Sequence, residues 1–318
     1  MNKNYEQIFD NFTNHSIITV GDIMLDKYIW GKVNRISPEA PVPVVNTQET
    51  EYRIGGAGNV AANLSALDCN STLLAVTGED SNSSLLKKLL NEADITPLFQ
   101  QDSQRPTTLK SRIVSQQQQL LRIDRERTRA VSDKIIKNSI NQVRNLNKVD
   151  ALVISDYDKG FVTQELIQKI SASFQNIPIV IDPKVRDWEK YRGASIIKPN
   201  YKEFCQALNR DEVQLTQLEK YAGEISNKFQ FKAIIVTLGE NGVFYYTRND
   251  SAILPTQAHE VYDVSGAGDT FTAAFTASYL STDNIKIAAQ IANFASAVAV
   301  EKVGTATVSA DEILKKIN

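Results

Sequence analysis

The run Asp263-Val264-Ser265-Gly266-Ala267-Gly268-Asp269-Thr270 carries the two elements that phosphoryl transfer to an alcohol requires. The apolar spacing Phe271, Ala274, Phe275, Tyr279 predicts a helix starting just after the glycines. Small residues at the mouth of a helix leave backbone N–H groups bare. Together with the positive end of the helix dipole, these form a site for phosphate. Gly266, Ala267 and Gly268 are therefore a candidate anion hole. Asp269 follows at once, where a carboxylate could reach a substrate hydroxyl and take its proton. An anion cradle beside a base is the minimum for the reaction.

A second small-residue cluster, Gly55-Gly56-Ala57-Gly58-Asn59, precedes another apolar run. It is either a tight turn that lets a helix pack on a sheet, or a close approach of backbone to a sugar with Asn59 on a hydroxyl. Asp22 and Asp26 close the first apolar run, as hydroxyl ligands or as turn and cap residues. Asn200 and Glu203 are spaced i, i+3 at a helix start. They could order Mg²⁺ near nucleotide phosphates, form a capping box, or do both. Lys110 and Arg112 alternate on a strand and share a face, which suits a substrate phosphate or a solvated surface. Lys184 ends the strand segment Asp182-Pro183-Lys184 and points toward the same cleft. Trp188, Tyr191 and Phe204 read as packing residues.

These residues need a scaffold, and the pattern supplies one. Apolar runs at Ser16–Leu25, Thr72–Thr77, Ala151–Ser155, Ile179–Ile181, Ser195–Lys198 and Ala233–Thr237 alternate with helical patterns. That argues for an α/β fold with a mostly parallel sheet covered on both faces. Ligands bind such sheets at the carboxyl ends of the strands. Gly21-Asp22, Ser155-Asp156, Asp182-Pro183-Lys184, Lys198-Pro199-Asn200 and Thr237-Leu238-Gly239 all fall there. Prolines 38, 41 and 43 mark residues 28–53 as a small β excursion from the main sheet. The pair Thr107–Ser115 and Leu120–Arg125 is a candidate extension of it.

Composition excludes several function classes. The 318 residues carry 35 Lys and Arg against 37 Asp and Glu, so there is no bulk attraction to nucleic acid. Two cysteines far apart and two histidines, His15 and His259, give little material for a metal centre or a Ser-His-Asp triad. No segment has a membrane-spanning length, and the polar start MNKNYEQIFDNFTNH has no signal-like core. The expected location is the cytoplasm.

The two glycine segments, Gly55 through Leu67 and Asp263 through Ala274, resemble the two signatures of the ribokinase/PfkB family of carbohydrate kinases. The likeness runs from Val20 to Ser309. Within that family the chain is most similar to heptose 7-phosphate kinases, through GDIMLD (21–26), RISPEAPVPVV (35–45), QQLLRID (118–124), SDYDKG (155–160), YRGA (191–194) and GTATVS (304–309). The resemblance implies a three-layer ribokinase-like sandwich with a small β lid in a single kinase domain over 1–318. The lid spans about 28–53, with 107–125 as its extension. Without a His-x-Gly-His segment, no nucleotidyltransferase domain is expected. It implies ATP and Mg²⁺ as cofactors, and phosphorylation of O1 of a heptose 7-phosphate in the supply of ADP-heptose for lipopolysaccharide. A homodimer through the lid is implied as well.

Residue by residue, Asp269 matches the family's base and Gly266–Gly268 its anion hole. Asn200, Tyr201, Lys202 and Glu203 match the Mg²⁺–ATP motif, with Glu203 acting on the metal through water. Thr237 and Gly239 match a turn lining the nucleotide site, and Asp22, Gly55, Gly56 and Asn59 match sugar-side positions. Given that substrate, Lys110, Arg112 and Lys184 are the candidates to hold its phosphate. Other sugar phosphates such as fructose 6-phosphate, a nucleoside, or non-catalytic nucleotide binding are the competing readings. A dinucleotide-binding Rossmann fold fits poorly, because no G-x-G-x-x-G follows the first strand.

Overall fold

The computed structural model describes residues 2–116, 118–174, 176–184, 187–258, 260–302 and 304–318. Its strands are β1 Ser16–Gly21, β2 Ile23–Ile36, β3 Pro43–Gly56, β4 Asn70–Thr77, β5 Ile95–Gln101, β6 Leu109–Ser115, β7 Gln118–Arg125, β8 Ala151–Ser155, β9 Ile179–Asp182, β10 Ile196–Ile197, β11 Ala233–Thr237, β12 Val243–Thr247 and β13 Ser251–Leu254. Nine of them form one sheet in the order β13-β12-β11-β10-β9-β8-β1-β4-β5. Pairing is parallel from β5 to β11 and antiparallel across β11, β12 and β13.

The apolar runs have a simple physical origin. A parallel strand covered on both faces has no solvent side, so every position is apolar. Leu152 and Ile154 of β8 enter one core, and Ala151 and Val153 enter the other. Helices cover both faces, which makes the fold a three-layer α/β sandwich, as the resemblance implies. The helix Ala267–Thr282 is buried almost all round and is rich in Ala, Ser and Thr. Small side chains let it lie close against the helices Ala57–Ala66 and Ile285–Val300. Its aromatic residues Phe271, Phe275 and Tyr279 stack one turn apart at 6.1 and 6.2 Å.

The run Ser16–Leu25 is not one strand. It breaks at Asp22, where the chain leaves the main sheet and enters a second sheet of order β3-β2-β6-β7. The change of sheet turns the side chains that follow toward a different layer, which periodicity does not reveal. Two strands, β5 and β13, and the helix Asn2–Asp10 also went unread in the sequence. Trp188, Tyr191 and Phe204 are fully buried, as packing residues should be.

The loops above the sheet are tied together by Arg105. Its guanidinium donates to Asp102 Oδ2 at 3.0 Å and to the carbonyls of Lys159 and Arg129 at 3.1 and 2.8 Å. Arg105→Met leaves the half-buried Asp102 carboxylate with only the Gln104 N–H as donor and two carbonyls without the guanidinium. It should lower the unfolding free energy by about 3–5 kcal/mol, seen as a lower urea midpoint at unchanged slope. An unchanged midpoint would show that the network is solvated.

Candidate active site

Asp269 lies in the first turn of the helix Ala267–Thr282 and is 5% exposed. Two groups address its carboxylate. The Asn59 amide donates to Oδ2 at 2.9 Å, and the Tyr157 hydroxyl donates to Oδ1 at 2.7 Å. Burial and the charge of Asp182 push its pKa up from 3.8 to about 6, against the opposing pull of those two donors and of Lys198. A carboxylate with a pKa near 6 is charged at neutral pH and still basic enough to accept a proton.

The turn before the helix is set by Gly266, which sits at φ +82°, a conformation that favours glycine. A side chain there would also lie 2.8 Å from the Asn59 amide nitrogen. The helix has no side-chain cap. Among the described residues the N–H groups of Gly268 and Asp269 have no protein acceptor. Bare N–H groups at a helix mouth are what the small residues lead one to expect.

Strand register brings the remaining polar groups to Asp269. Gly21 pairs with Ser155, and Ser155 with Asp182, so the carboxyl ends of β1, β8 and β9 are level. Ile197 pairs with Ile181, which sets Lys198 beside Asp182. The resulting ion pair is 3.0 Å long, with Lys198 buried and Asp182 half-buried, and Thr272 donates to the same carboxylate at 3.1 Å. Burial outweighs these partners and leaves Asp182 raised above its ordinary value. Asp156 accepts from Lys190 Nζ at 2.5 Å and from the Tyr191 hydroxyl at 2.6 Å.

Asn200 and Glu203 form the full capping box. Asn200 Oδ1 accepts from the Glu203 N–H at 2.9 Å, and Glu203 Oε2 accepts from the Asn200 N–H at 3.0 Å. Glu203 Oε1 remains directed at Lys184 Nζ, 3.2 Å away. A parallel bridge joins Asn200 to Thr237, which brings the helix start beside the Thr237–Gly239 turn. A polar cavity of about 650 Å³ unites Asp156, Tyr157, Asp182, Lys184, Lys198, Asn200, Tyr201, Lys202, Glu203, Thr237, Gly239, Gly266, Gly268 and Asp269. A second cavity of about 400 Å³ adjoins it, sharing Thr237, Gly239, Val264 and Gly268. Its walls include Val243, Thr256, Val261, Phe271, Asn293, Ala297 and Val300. An apolar slot thus opens into a cleft lined mostly by polar side chains.

The small sheet presents a charged face to this site. Register sets Asp26 beside Lys110 and Tyr28 beside Arg112, and alternation keeps all four on one side. Arg112 donates to Asp26 Oδ1 at 2.5 Å. The guanidinium groups of Arg112 and Arg53 lie 5.2 and 4.9 Å from the Tyr28 ring centre. A side chain on Gly55 would collide with the Asp26 carboxylate, so the glycine is what admits Asp26 to the site.

The structure gives three of the sequence candidates protein partners. Asp22 is not free for a sugar hydroxyl, because its carboxylate accepts N–H groups from Tyr157, Lys159 and Phe161 at 3.0, 3.1 and 3.2 Å. Lys184 is apart from Lys110 and Arg112. It stands in the polar cleft against Glu203, because the end of β9 belongs to the main sheet. Asn59 turns its amide to Asp269, not to open space. Tyr157, Lys198, Asp182 and Arg53 went unassigned in the sequence. The strand-end segments flagged two of them as a place, and SDYDKG (155–160) contains Tyr157 without giving it a role, whereas nothing marks Arg53 except the contacts it makes in three dimensions.

No helix among the described residues is long and apolar enough to cross a membrane. No group of three or more His, Cys, Asp or Glu among them is placed to hold a metal ion, and His259 lies outside the described residues.

Comparison with known proteins agrees with this geometry. The bifunctional protein HldE of Nitratiruptor sp. is 40% identical over 93% of this chain, and the chain spans 64% of that relative's length. The HldE of Trichlorobacter lovleyi is 37% identical over 99% of the chain, with 65% of its own length covered. The chain therefore spans just under two thirds of these relatives. Among solved structures, phosphofructokinase-2 from Escherichia coli in its tetrameric inhibited form superposes with a TM-score of 0.78 at 20% identity, covering 95% of this chain and 97% of that one. Arabidopsis thaliana ribokinase complexed with ribose and ATP gives 0.74 at 18% identity, covering 96% and 99%. At such identities the likeness speaks for the fold. The pfkB family of carbohydrate kinases matches residues 14–312, and with Asp269 and the glycine turn in place this chain belongs to that family and is a carbohydrate kinase.

Proposed function

We propose that this chain transfers the γ-phosphoryl group of ATP to O1 of D-glycero-β-D-manno-heptose 7-phosphate, giving the 1,7-bisphosphate for ADP-heptose and lipopolysaccharide core synthesis. One observation carries the reading. Asp269 sits beside the unsatisfied N–H groups of the Gly266 turn, with an apolar-walled cavity of about 400 Å³ adjoining its cleft. The second sheet, carrying Arg112, Arg53 and Lys110, supplies the charged face that a phosphorylated acceptor calls for. Resemblance to HldE proteins at 37–40% identity supports the choice of acceptor.

In this reading Asp269 takes the O1 proton as O1 attacks the γ-phosphorus in line. A hemiacetal hydroxyl is more acidic than an ordinary alcohol, which suits a carboxylate base. The N–H groups at Gly268 and Asp269 and the Lys198 ammonium face the charge on the transferring group. Each such preorganised donor lowers the barrier by about 2.7–4 kcal/mol. Mg²⁺ is bound by one or two carboxylates plus substrate phosphates and waters, and Glu203 fits that role because its carboxylate faces the polar cleft. When bound, the ion neutralises phosphate charge. The small sheet acts as a lid that excludes water. A second copy of the chain covers its outer face, where Leu121 and Ile123 are exposed. The reaction takes place in the cytoplasm.

The test is ATP consumption with Mg²⁺ and three acceptors, heptose 7-phosphate, fructose 6-phosphate and ribose, with phosphorus NMR of the product. A new anomeric phosphate from the heptose alone supports the reading. Turnover of fructose 6-phosphate instead would replace the acceptor.

The pH dependence follows from Asp269. Only its carboxylate form accepts a proton, and its pKa is raised from 3.8 to about 6. Activity should therefore be full above pH 7 and fall about tenfold per unit once the pH drops below about 6. The quantity to measure is kcat at saturating substrates, since an acceptor phosphate also ionises near pH ~6. A profile flat down to about pH 4, where an ordinary aspartate titrates, would remove Asp269 from the role.

A further inference from the structure

A carboxylate that accepts a proton from a substrate must keep its free lone pairs aimed at that substrate. Two donors fix Asp269, and they come from different places. Asn59 belongs to the helix Ala57–Ala66, which packs against the helix carrying Asp269. Tyr157 belongs to the loop after β8, which has no regular structure of its own to hold it. Arg105 and the Val131 N–H take the carbonyls of Lys159 and Gly160, and Asp22 takes the loop's N–H groups. The Asp22 carboxylate is 2% exposed and accepts the N–H groups of residues 157 and 159 on one oxygen and of residue 161 on the other. A turn of loop is thus wrapped around one buried carboxylate.

That arrangement is unfavourable by itself. Burial, together with neighbouring Asp156, pushes the Asp22 pKa up from 3.8 to about 6, and the three N–H donors only partly offset it. A loop held merely for stability would be held more cheaply by a neutral group. The charge is tolerated where the loop's position matters, and its one contact with the reacting centre is the Tyr157 hydroxyl on Asp269. Burial and the Asp269 charge keep the Tyr157 phenol well above its ordinary value of 10. It therefore remains a donor and does not take the substrate's proton itself.

We propose that Tyr157 is the positioning residue for Asp269, and that Asp22 acts through it by fixing the loop at Tyr157, Lys159 and Phe161. This rests on the reading of Asp269 as the base of a sugar kinase. The other charged groups around the pair are Asp182 and Lys198, which face Asp269 from β9 and the end of β10, and Asp26, which faces Tyr157 from β2. None of them contacts Asp22, so their influence is unchanged in the variants that test the idea.

The variants are Tyr157→Phe, Asp22→Asn and the double variant, in the whole chain. Tyr157→Phe removes one donor and keeps the ring. Asp22→Asn keeps the shape but points an amide N–H₂ at backbone donors. Each single change should lower kcat by up to about a hundredfold, the cost of a misplaced reacting group, with the KM for ATP within about twofold. In the double variant the losses should not add, because both act on one contact. The acid limb of kcat should move to higher pH in Tyr157→Phe, since the lost hydrogen bond favoured the carboxylate. A second readout needs no turnover: the ¹³C carboxyl titration of Asp269, assigned against Asp269→Asn, should move up in Tyr157→Phe. This variant also serves if Asp22→Asn does not fold. An unmoved titration in Tyr157→Phe, or additive losses in the double variant, overturns the proposal. Absence of phosphorylated product from the unaltered chain with every sugar phosphate overturns the kinase reading instead, and the titration then decides the role of Tyr157.

Discussion

Asp269→Asn should bind ATP as the unaltered chain does and lose turnover by about 10²–10⁴-fold, the usual contribution of a positioned base. The substitution keeps the volume of the side chain and removes its charge and basicity. The amide oxygen still accepts from Tyr157 or Asn59, the two donors now on the carboxylate. The N–H groups at the helix start belong to the backbone and survive the change, so the phosphates of ATP keep their cradle. Binding measured by calorimetry and turnover measured in the same preparation separate the two effects. Near-normal turnover would mean that another group takes the proton. Loss of ATP binding would mean that Asp269 acts on the nucleotide and not on the acceptor.

The second large effect is expected at the other side of the cleft. Arg112→Met should reduce kcat/KM for a phosphorylated acceptor by about 2–5 kcal/mol in transition-state free energy, the cost of truncating one partner of a desolvated charge pair. The ATP KM should stay within about twofold. The guanidinium is partly buried, with 19% of the side chain exposed against 4% for its partner Asp26. It lies over the Tyr28 ring, which fixes its plane. A planar fork held in place suits a phosphate as well as a carboxylate. Arg112→Lys keeps the charge and loses the fork, so it should fall between the two. The decisive comparison uses the same sugar with and without its phosphate. The unaltered chain should discriminate strongly and Arg112→Met weakly. Equal discrimination in both would place the acceptor phosphate elsewhere, with Arg53 and Lys110 as the next candidates. A urea titration of each variant shows whether loss of the Asp26 partner has also loosened the small sheet.

Much of this site was legible in the sequence because its parts are local. The anion turn is contiguous: Gly266 must take a positive φ, the helix must begin at once, and Asp269 must lie in the first turn. A glycine, a small residue and a carboxylate in that order state all three conditions. The capping box at Asn200 and Glu203 is likewise written in a spacing of three. Lys110 and Arg112 were assigned to one face because strand alternation has a period of two. Lys184 does reach the cleft, but the end of a strand says which cleft is near and not which wall of it, and its partner there is Glu203.

The residues that went unread depend on register and on loops that return from far along the chain. Lys198 meets Asp182 because β10 lies beside β9 in one particular alignment. Tyr157 meets Asp269 across 112 positions. Asn59 meets it across 210. Asp22 became a loop anchor because the chain changes sheets at that point and turns its carboxylate inward. By itself, then, the sequence determined the layers of the fold, the glycine turn at the helix start, the place of Asp269 in its first turn and the family, since these follow from periodicity and contiguous backbone geometry. Tertiary structure alone decided which carboxylates stand open to the cleft and which are taken up by loop N–H groups. A side chain's role depends on the donors and charges around it in space, and strand pairing and sheet crossing bring those together from distant parts of the chain.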